Sequence, residues 1–262
     1  MRALSIVPRL RLLSKEPLPL TWIFVFNRGL SSSLRNLRRK TSMPRVRSSC
    51  AVVLPPNAEP RHYVLSLSPN METFTFDGTV DVTVDIVEET STLVLHSKEL
   101  TYLGKTTFTG ADGTSTKATT HTVDHDRTTV TFTFASPLAV GLGGILHIDF
   151  QGELNADMCG FYRSTYKNVR GESKFMLSTQ FEALDARRCF PCWDEPARKA
   201  TFGTKLIVDE GLTAFSNMPV TEQTLLAGGK KVRLFFILLY YITGFSTNIM
   251  LLLNDYYYYL LI

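Results

Sequence analysis

The chain has 262 residues, 44% of them hydrophobic and 20% charged, which is enough apolar surface for a sizeable core and too much for wholesale disorder. Sixteen glycines, twelve prolines and four cysteines exclude a collagen-like repeat, a Pro/Gly low-complexity chain and a disulfide scaffold. The formal charge of +4 conceals a division: residues 1–49 hold 11 of the 28 Lys and Arg and one of the 24 acids, so the leader is +10, the rest is −6, and composition gives no support to nucleic-acid binding.

The leader carries Arg2, Arg9, Arg11, Arg28, Arg35, Arg38 and Arg39, a serine run at 31–33, and Glu16 as its lone acid. This is the composition of an organellar transit peptide or of a basic disordered tail. A secretory signal competes through the apolar stretch at 20–26, which however follows a long basic segment and lacks a small-x-small cleavage site. Met43 offers a second start that removes the leader and leaves a cytoplasmic body; both starts stand.

The body, residues 50–233, reads as strands. Val80, Val82, Val84 and Ile86 alternate with Asp81, Thr83 and Asp85, the period-two pattern of a half-buried antiparallel strand. The pattern recurs at 62–67, 92–96, 130–134 and 146–150, with turns predicted at Pro69-Asn70, Asp77-Gly78, Asp112-Gly113 and Gly143-Gly144. Short strands in succession without helical periodicity or internal repeat predict an all-β protein, an antiparallel β-sandwich or saddle of two packed sheets.

Three groups of residues invite a chemical reading. His121 and His125 are four apart, but their Thr-rich surroundings lead into a strand, where that spacing is too long for one tetrahedral ion, and Thr122 stands where HExxH has its glutamate. They read as surface histidines, and no metal ligand is assigned. Cys189 and Cys192 form C-F-P-C without the βαβ context of a redox motif or the second pair of a zinc site, so all four cysteines read as free thiols of a reducing compartment, with an adventitious Cys189–Cys192 bond as the exception. A strand over 175–182 would put Phe175, Leu177 and Phe181 on one face and Met176, Ser178, Gln180 and Glu182 on the other. Gln180 and Glu182 then project side by side, either as a solvated strand face or as a carboxylate and a carboxamide able to hold a substrate ammonium.

From Leu234 to Leu253 the chain runs twenty residues without a charge, preceded by Lys230, Lys231 and Arg233. Residues 234–262 therefore read either as an apolar tail with a membrane-spanning helix, the body on the cytoplasmic side, or as sequence from a truncated or alternatively spliced gene. Cytoplasmic location is the first expectation for the body, with membrane association and organellar targeting as alternatives.

Several runs carry a resemblance. They are Thr179-Gln180-Phe181-Glu182, Asp185-Ala186-Arg187-Arg188, Phe190-Pro191-Cys192-Trp193-Asp194-Glu195-Pro196 and Lys199-Ala200-Thr201-Phe202, with Pro60-Arg61-His62-Tyr63, Gly160-Phe161-Tyr162-Arg163-Ser164 and Phe215-Ser216-Asn217-Met218 in support. Over about residues 55–233 the chain resembles the N-terminal domain of zinc aminopeptidases of the gluzincin, aminopeptidase N-like class. The resemblance implies a saddle-shaped β domain that caps a catalytic domain and lends it part of the substrate pocket, with Glu182 binding the free α-amino group of a peptide and Gln180 shaping the pocket for its first side chain. It also implies zinc for the full-length enzyme and none for this chain, which carries no HExxH, no downstream zinc-ligand glutamate and no GxMEN loop. No catalytic residue is assigned. The implied partners are peptide N-termini and the catalytic domain of the same enzyme; a stand-alone β-sandwich module that binds peptides or proteins, membrane-anchored or not, is the other reading.

Overall fold

A computed structural model describes residues 52–237 and 250–253. The chain divides into two units at residue 49, and the expectations for the leader 1–49 and for Cys50 lie outside the described residues. Among the described residues the second unit holds β1 (Ala58–Asn70), β2 (Thr75–Ile86), β3 (Thr90–His96), β4 (Leu100–Thr109), β5 (Ser115–Asp124), β6 (Thr129–Leu138), β7 (Gly141–Glu153), β8 (Gly160–Lys167), β9 (Ser173–Gln180), a 3-10 turn (Ala186–Arg188), β10 (Thr201–Asp209), β11 (Leu212–Phe215), β12 (Val220–Leu226), β13 (Lys230–Ile237) and β14 (Met250–Leu253).

These strands form the expected all-β architecture. Among the described residues one sheet has ten strands in the order β12-β13-β10-β1-β2-β7-β4-β5-β6-β3, and a second has four in the order β11-β14-β9-β8. Alternation decides the faces: Tyr63, Leu65 and Leu67 of β1, Val80, Val82 and Val84 of β2, and Leu146, Ile148 and Phe150 of β7 all enter one core, while their Ser, Thr and Asp neighbours face out. One pairing departs from the antiparallel expectation. β1 runs parallel to β10, with His62 opposite Thr201 and Leu67 opposite Leu206. A parallel pair needs a long connection, and here the connection is most of the domain.

Two of the predicted turns are strand instead. Asp77 and Gly78 lie inside β2 and Gly143 and Gly144 inside β7, whereas Asp112-Gly113 does turn the β4–β5 hairpin. Gly78 and Gly144 are there for contact, Gly144 beneath Phe108, whereas Gly143 takes a φ of +73° with nothing within 4 Å of its missing side chain. Gly78 faces Phe150 and Phe76 faces Gly152 across the β2–β7 ladder, and a Cβ on either glycine would fall 2.3 Å from the opposing ring. Each ring covers the bare backbone opposite it, the cross-strand use of aromatics over glycine. At Asn70 the expected turn begins one residue later, since the Asn70 carboxamide oxygen accepts the N–H groups of Glu72 and Thr73 (2.9 and 3.2 Å).

Both ends of the apolar run are strands as well. Leu234 and Phe235 belong to β13, paired with β10 and β12, with Phe235 buried, and Met250–Leu253 pair with β11 and β9. β-branched and aromatic residues suit a two-sided sheet as well as a bilayer, and here neighbouring strands supply their hydrogen bonds. Among the described residues no helix is long and apolar enough to cross a membrane, and 238–249 lie outside them.

Candidate functional site

β9 ends at the first of the two candidate residues. Gln180 pairs with Gly160, the first residue of β8, so beyond that point the sheet has no partner backbone to offer. The chain instead bends into a turn closed by the Asp185 N–H donating to the Phe181 carbonyl (2.9 Å). The strand predicted to reach Glu182 therefore stops two residues short. Alternation holds as far as the ladder does: Leu177 and Thr179 are buried and Met176, Ser178 and Gln180 are half-buried on the opposite face. Phe181 is buried against Phe190, ring centroids 6.0 Å apart, which anchors the turn from beneath. Glu182 is thrown out on the turn, exposed, and its peptide bond to Ala183 is cis. Among the described residues neither the Gln180 nor the Glu182 side chain has a hydrogen-bond or ion-pair partner.

The rest of the motif is a buried polar knot. Arg187 donates from Nε to Asp194 Oδ2 (2.8 Å), from Nη1 to Thr128 Oγ1 (2.8 Å) and from Nη2 to the Asp194 carbonyl (3.3 Å), with both side chains 5% exposed or less. Burial pushes the Asp194 carboxyl up from its ordinary range, against the pull of the Arg187 guanidinium. His96 sits beside this pair: Asp194 N–H reaches its Nδ1 (3.2 Å), and its Nε2 faces the Val52 carbonyl (2.8 Å). With Nδ1 accepting, Nε2 must carry the proton, so the ring is neutral, and burial with the neighbouring Arg187 charge lowers its pKa to about 4. Trp193 N–H donates to the Tyr63 hydroxyl (3.2 Å), and the Leu54 N–H to Glu195 Oε1 (2.6 Å).

Arg188, next in the chain, turns the other way. Its Nε donates to Asp185 Oδ1 (2.8 Å) and its Nη1 to Glu99 Oε2, while its stem crosses Gly160. No sequence signal marks this second role, since two adjacent arginines in one motif look alike until the core has claimed one of them.

The other residues singled out from sequence lie elsewhere. His121 packs on Tyr102 and Phe132, and His125 lies beyond the end of β5; both are exposed. His62 meets Thr201 Oγ1 (2.6 Å), and His147 stands between Asp81 (2.6 Å) and Asp149 (3.1 Å). Cys159, Cys189 and Cys192 are free thiols, and burial pushes the last two well up, out of the reactive range. Among the described residues no group of three or more His, Cys, Asp or Glu side chains could hold a metal ion, so this donor set does not fit a catalytic zinc.

The sequence pattern of the Peptidase M1 N-terminal domain matches residues 59–236, which takes in β1 through nearly all of β13. The chain belongs to the peptidase M1 family. Relatives of this M1 N-terminal domain include Aminopeptidase M1 of Arabidopsis thaliana, 44% identical over 65% of this chain and 19% of its own length. Puromycin-sensitive aminopeptidase of Caenorhabditis elegans is 42% identical over 68% of this chain and 19% of its own length, and alanine/arginine aminopeptidase of Saccharomyces cerevisiae 38% over 68% and 21%. The M1 domain described here thus spans about a fifth of the length of the curated relatives it matches.

Proposed function

We propose that this domain forms the substrate-binding part of an aminopeptidase that removes N-terminal residues from peptides, with Glu182 pairing the substrate's α-ammonium and Gln180 shaping the pocket for the first side chain. One observation carries the reading: in a motif where Arg187, Asp194, Asp185, Arg188 and Glu195 are all held by partners, the Gln180 and Glu182 side chains have none among the described residues, one at the end of β9 and the other on the adjoining turn. A carboxylate held on a pinned turn complements an ammonium, and an internal peptide nitrogen carries no charge to pair with it, which is the physical basis of exopeptidase selectivity.

Zinc in this reading belongs to the catalytic domain, where it would activate the attacking water. The described residues bind and orient the peptide N-terminus, and the chain by itself is inactive. Apolar side chains exposed along 215–226, namely Phe215, Met218, Val220, Leu225 and Leu226, support a partner surface there, and the catalytic domain of the same enzyme is the occupant that suits this function. The free thiols support a cytoplasmic body.

The test uses the full-length aminopeptidase that carries this domain. Glu182→Gln is expected to lower kcat/KM on free-amine aminoacyl reporters by roughly ten- to a hundredfold, the worth of a desolvated charge-assisted contact. Gln180→Glu is expected to shift preference towards basic first residues. Wild-type kcat/KM in Glu182→Gln would return both residues to the status of a solvated surface and favour the stand-alone binding module.

A further inference from the structure

We propose that Arg188 is a positioning residue for amine recognition, holding Gln180 and the Glu182 turn in one geometry; the inference rests on the roles given to those two residues above.

Three contacts converge on it. The Nε–H binds the carboxylate of Asp185, whose backbone N–H closes the turn that presents Glu182. Nη1 binds Glu99, in the segment between β3 and β4 and 89 residues away in sequence, so the turn is fastened to the other end of the motif's surroundings. The Arg188 stem lies across Gly160, the residue opposite Gln180 in the β8–β9 ladder. A Cβ at Gly160 would stand 2.6 Å from Arg188 Cβ, and the φ of +67° at Gly160 also suits glycine, so the strand is shaped to let the arginine pass.

An ordinary surface ion pair would do little. This one differs in being only 15% exposed at the arginine and in using a planar fork to join two acids from separate segments, which a lysine cannot reproduce. The charge arithmetic matters as well. Asp185 and Glu99 take up the guanidinium, and among the described residues the Glu182 carboxylate has no partner, which leaves it available to an external cation.

The experiment compares competitive inhibition of the full-length enzyme by an amino-acid amide and by its des-amino counterpart, the ratio of the two constants measuring amine recognition alone. Arg188→Met and Glu99→Gln are expected to shrink that ratio about tenfold, the scale of a binding group displaced by a fraction of an ångström to an ångström, mainly through KM and with kcat much less altered. Arg188→Lys should recover part of it. A lowered melting temperature with the wild-type ratio would make Arg188 merely structural and overturn the inference. If Arg188→Met does not fold, Glu99→Gln decides in the same way, because Glu99 is half exposed and lies outside the core. Glu182→Gln run in parallel separates the two claims: an unchanged ratio there sinks the reading of Glu182 itself, whereas a collapsed ratio there with an intact one in Arg188→Met and Glu99→Gln sinks only the role of Arg188.

Discussion

The stretch from Gln180 to Pro196 contains two populations of polar side chain governed by opposite demands. Arg187, Asp194 and, from outside, His96 are buried and bonded to one another, while Gln180 and Glu182 reach outward with no partner among the described residues. A buried charge must be matched or it costs several kcal/mol, so the first population is fixed by folding. A surface carboxylate has no such obligation, so its position is open to selection for binding. The specificity of the motif as a sequence comes mostly from the knot, and the function proposed for it comes mostly from the two residues the knot leaves over.

Breaking the knot should give the largest effect. Asp194→Ala strands the Arg187 guanidinium in the core and is expected to cost about 3–5 kcal/mol, read as a lower urea midpoint for the chain; an apolar replacement of both partners should recover part of this. If the single variant unfolds at the wild-type midpoint, the contrast between the two populations is wrong.

The neutral imidazole of His96 gives the next effect, and its sign is fixed. The unfolded chain takes up a proton near the ordinary histidine value of 6.5, which the folded chain does not accept until about 4. Stability contributed by neutral His96 is therefore fully present above 6.5 and lost as pH falls towards 4, a total of about 3 kcal/mol. Melting temperatures of the wild type and His96→Gln should converge between pH 7 and pH 5, and parallel curves would show that His96 does not titrate in this way.

Gly78→Ala tests a packing contact far from the motif. Forcing a methyl against the Phe150 ring is expected to cost about 1–3 kcal/mol, and pairing it with Phe150→Leu should relieve much of that. The smallest effect belongs to the outward population. Glu182→Gln should change the unfolding free energy by less than about 0.5 kcal/mol while removing the proposed amine contact. A large stability loss there would mean that Glu182 is a structural residue after all.

The parts of the fold legible from sequence are those decided locally. Val80, Val82, Val84 and Ile86 show their face by period two, and all four are buried. Gly78 and Gly144 misled because glycine serves a turn, a bulge and a bare patch beneath an aromatic ring equally well, and which one applies is set by a ring on another strand, Phe150 for Gly78 and Phe108 for Gly144. The end of β9 at Gln180 is likewise set by where β8 begins, and no property of Phe181 or Glu182 marks it. The same limit hid Arg188, whose meaning lies in Gly160 and Glu99. At the site, residue types were readable and their partnerships were not.

The parallel pairing of β1 with β10 sets a timetable for biosynthesis. His62 and Thr201 are 139 residues apart, so on a ribosome adding ~5–20 residues per second β1 waits on the order of ten seconds before β10 exists to complete its ladder. β2 can cover one edge of β1 almost at once, but the other edge stays open through the synthesis of eight further strands. An unpaired strand edge is a template for a neighbouring nascent chain, so crowding of translating ribosomes becomes a hazard particular to this topology.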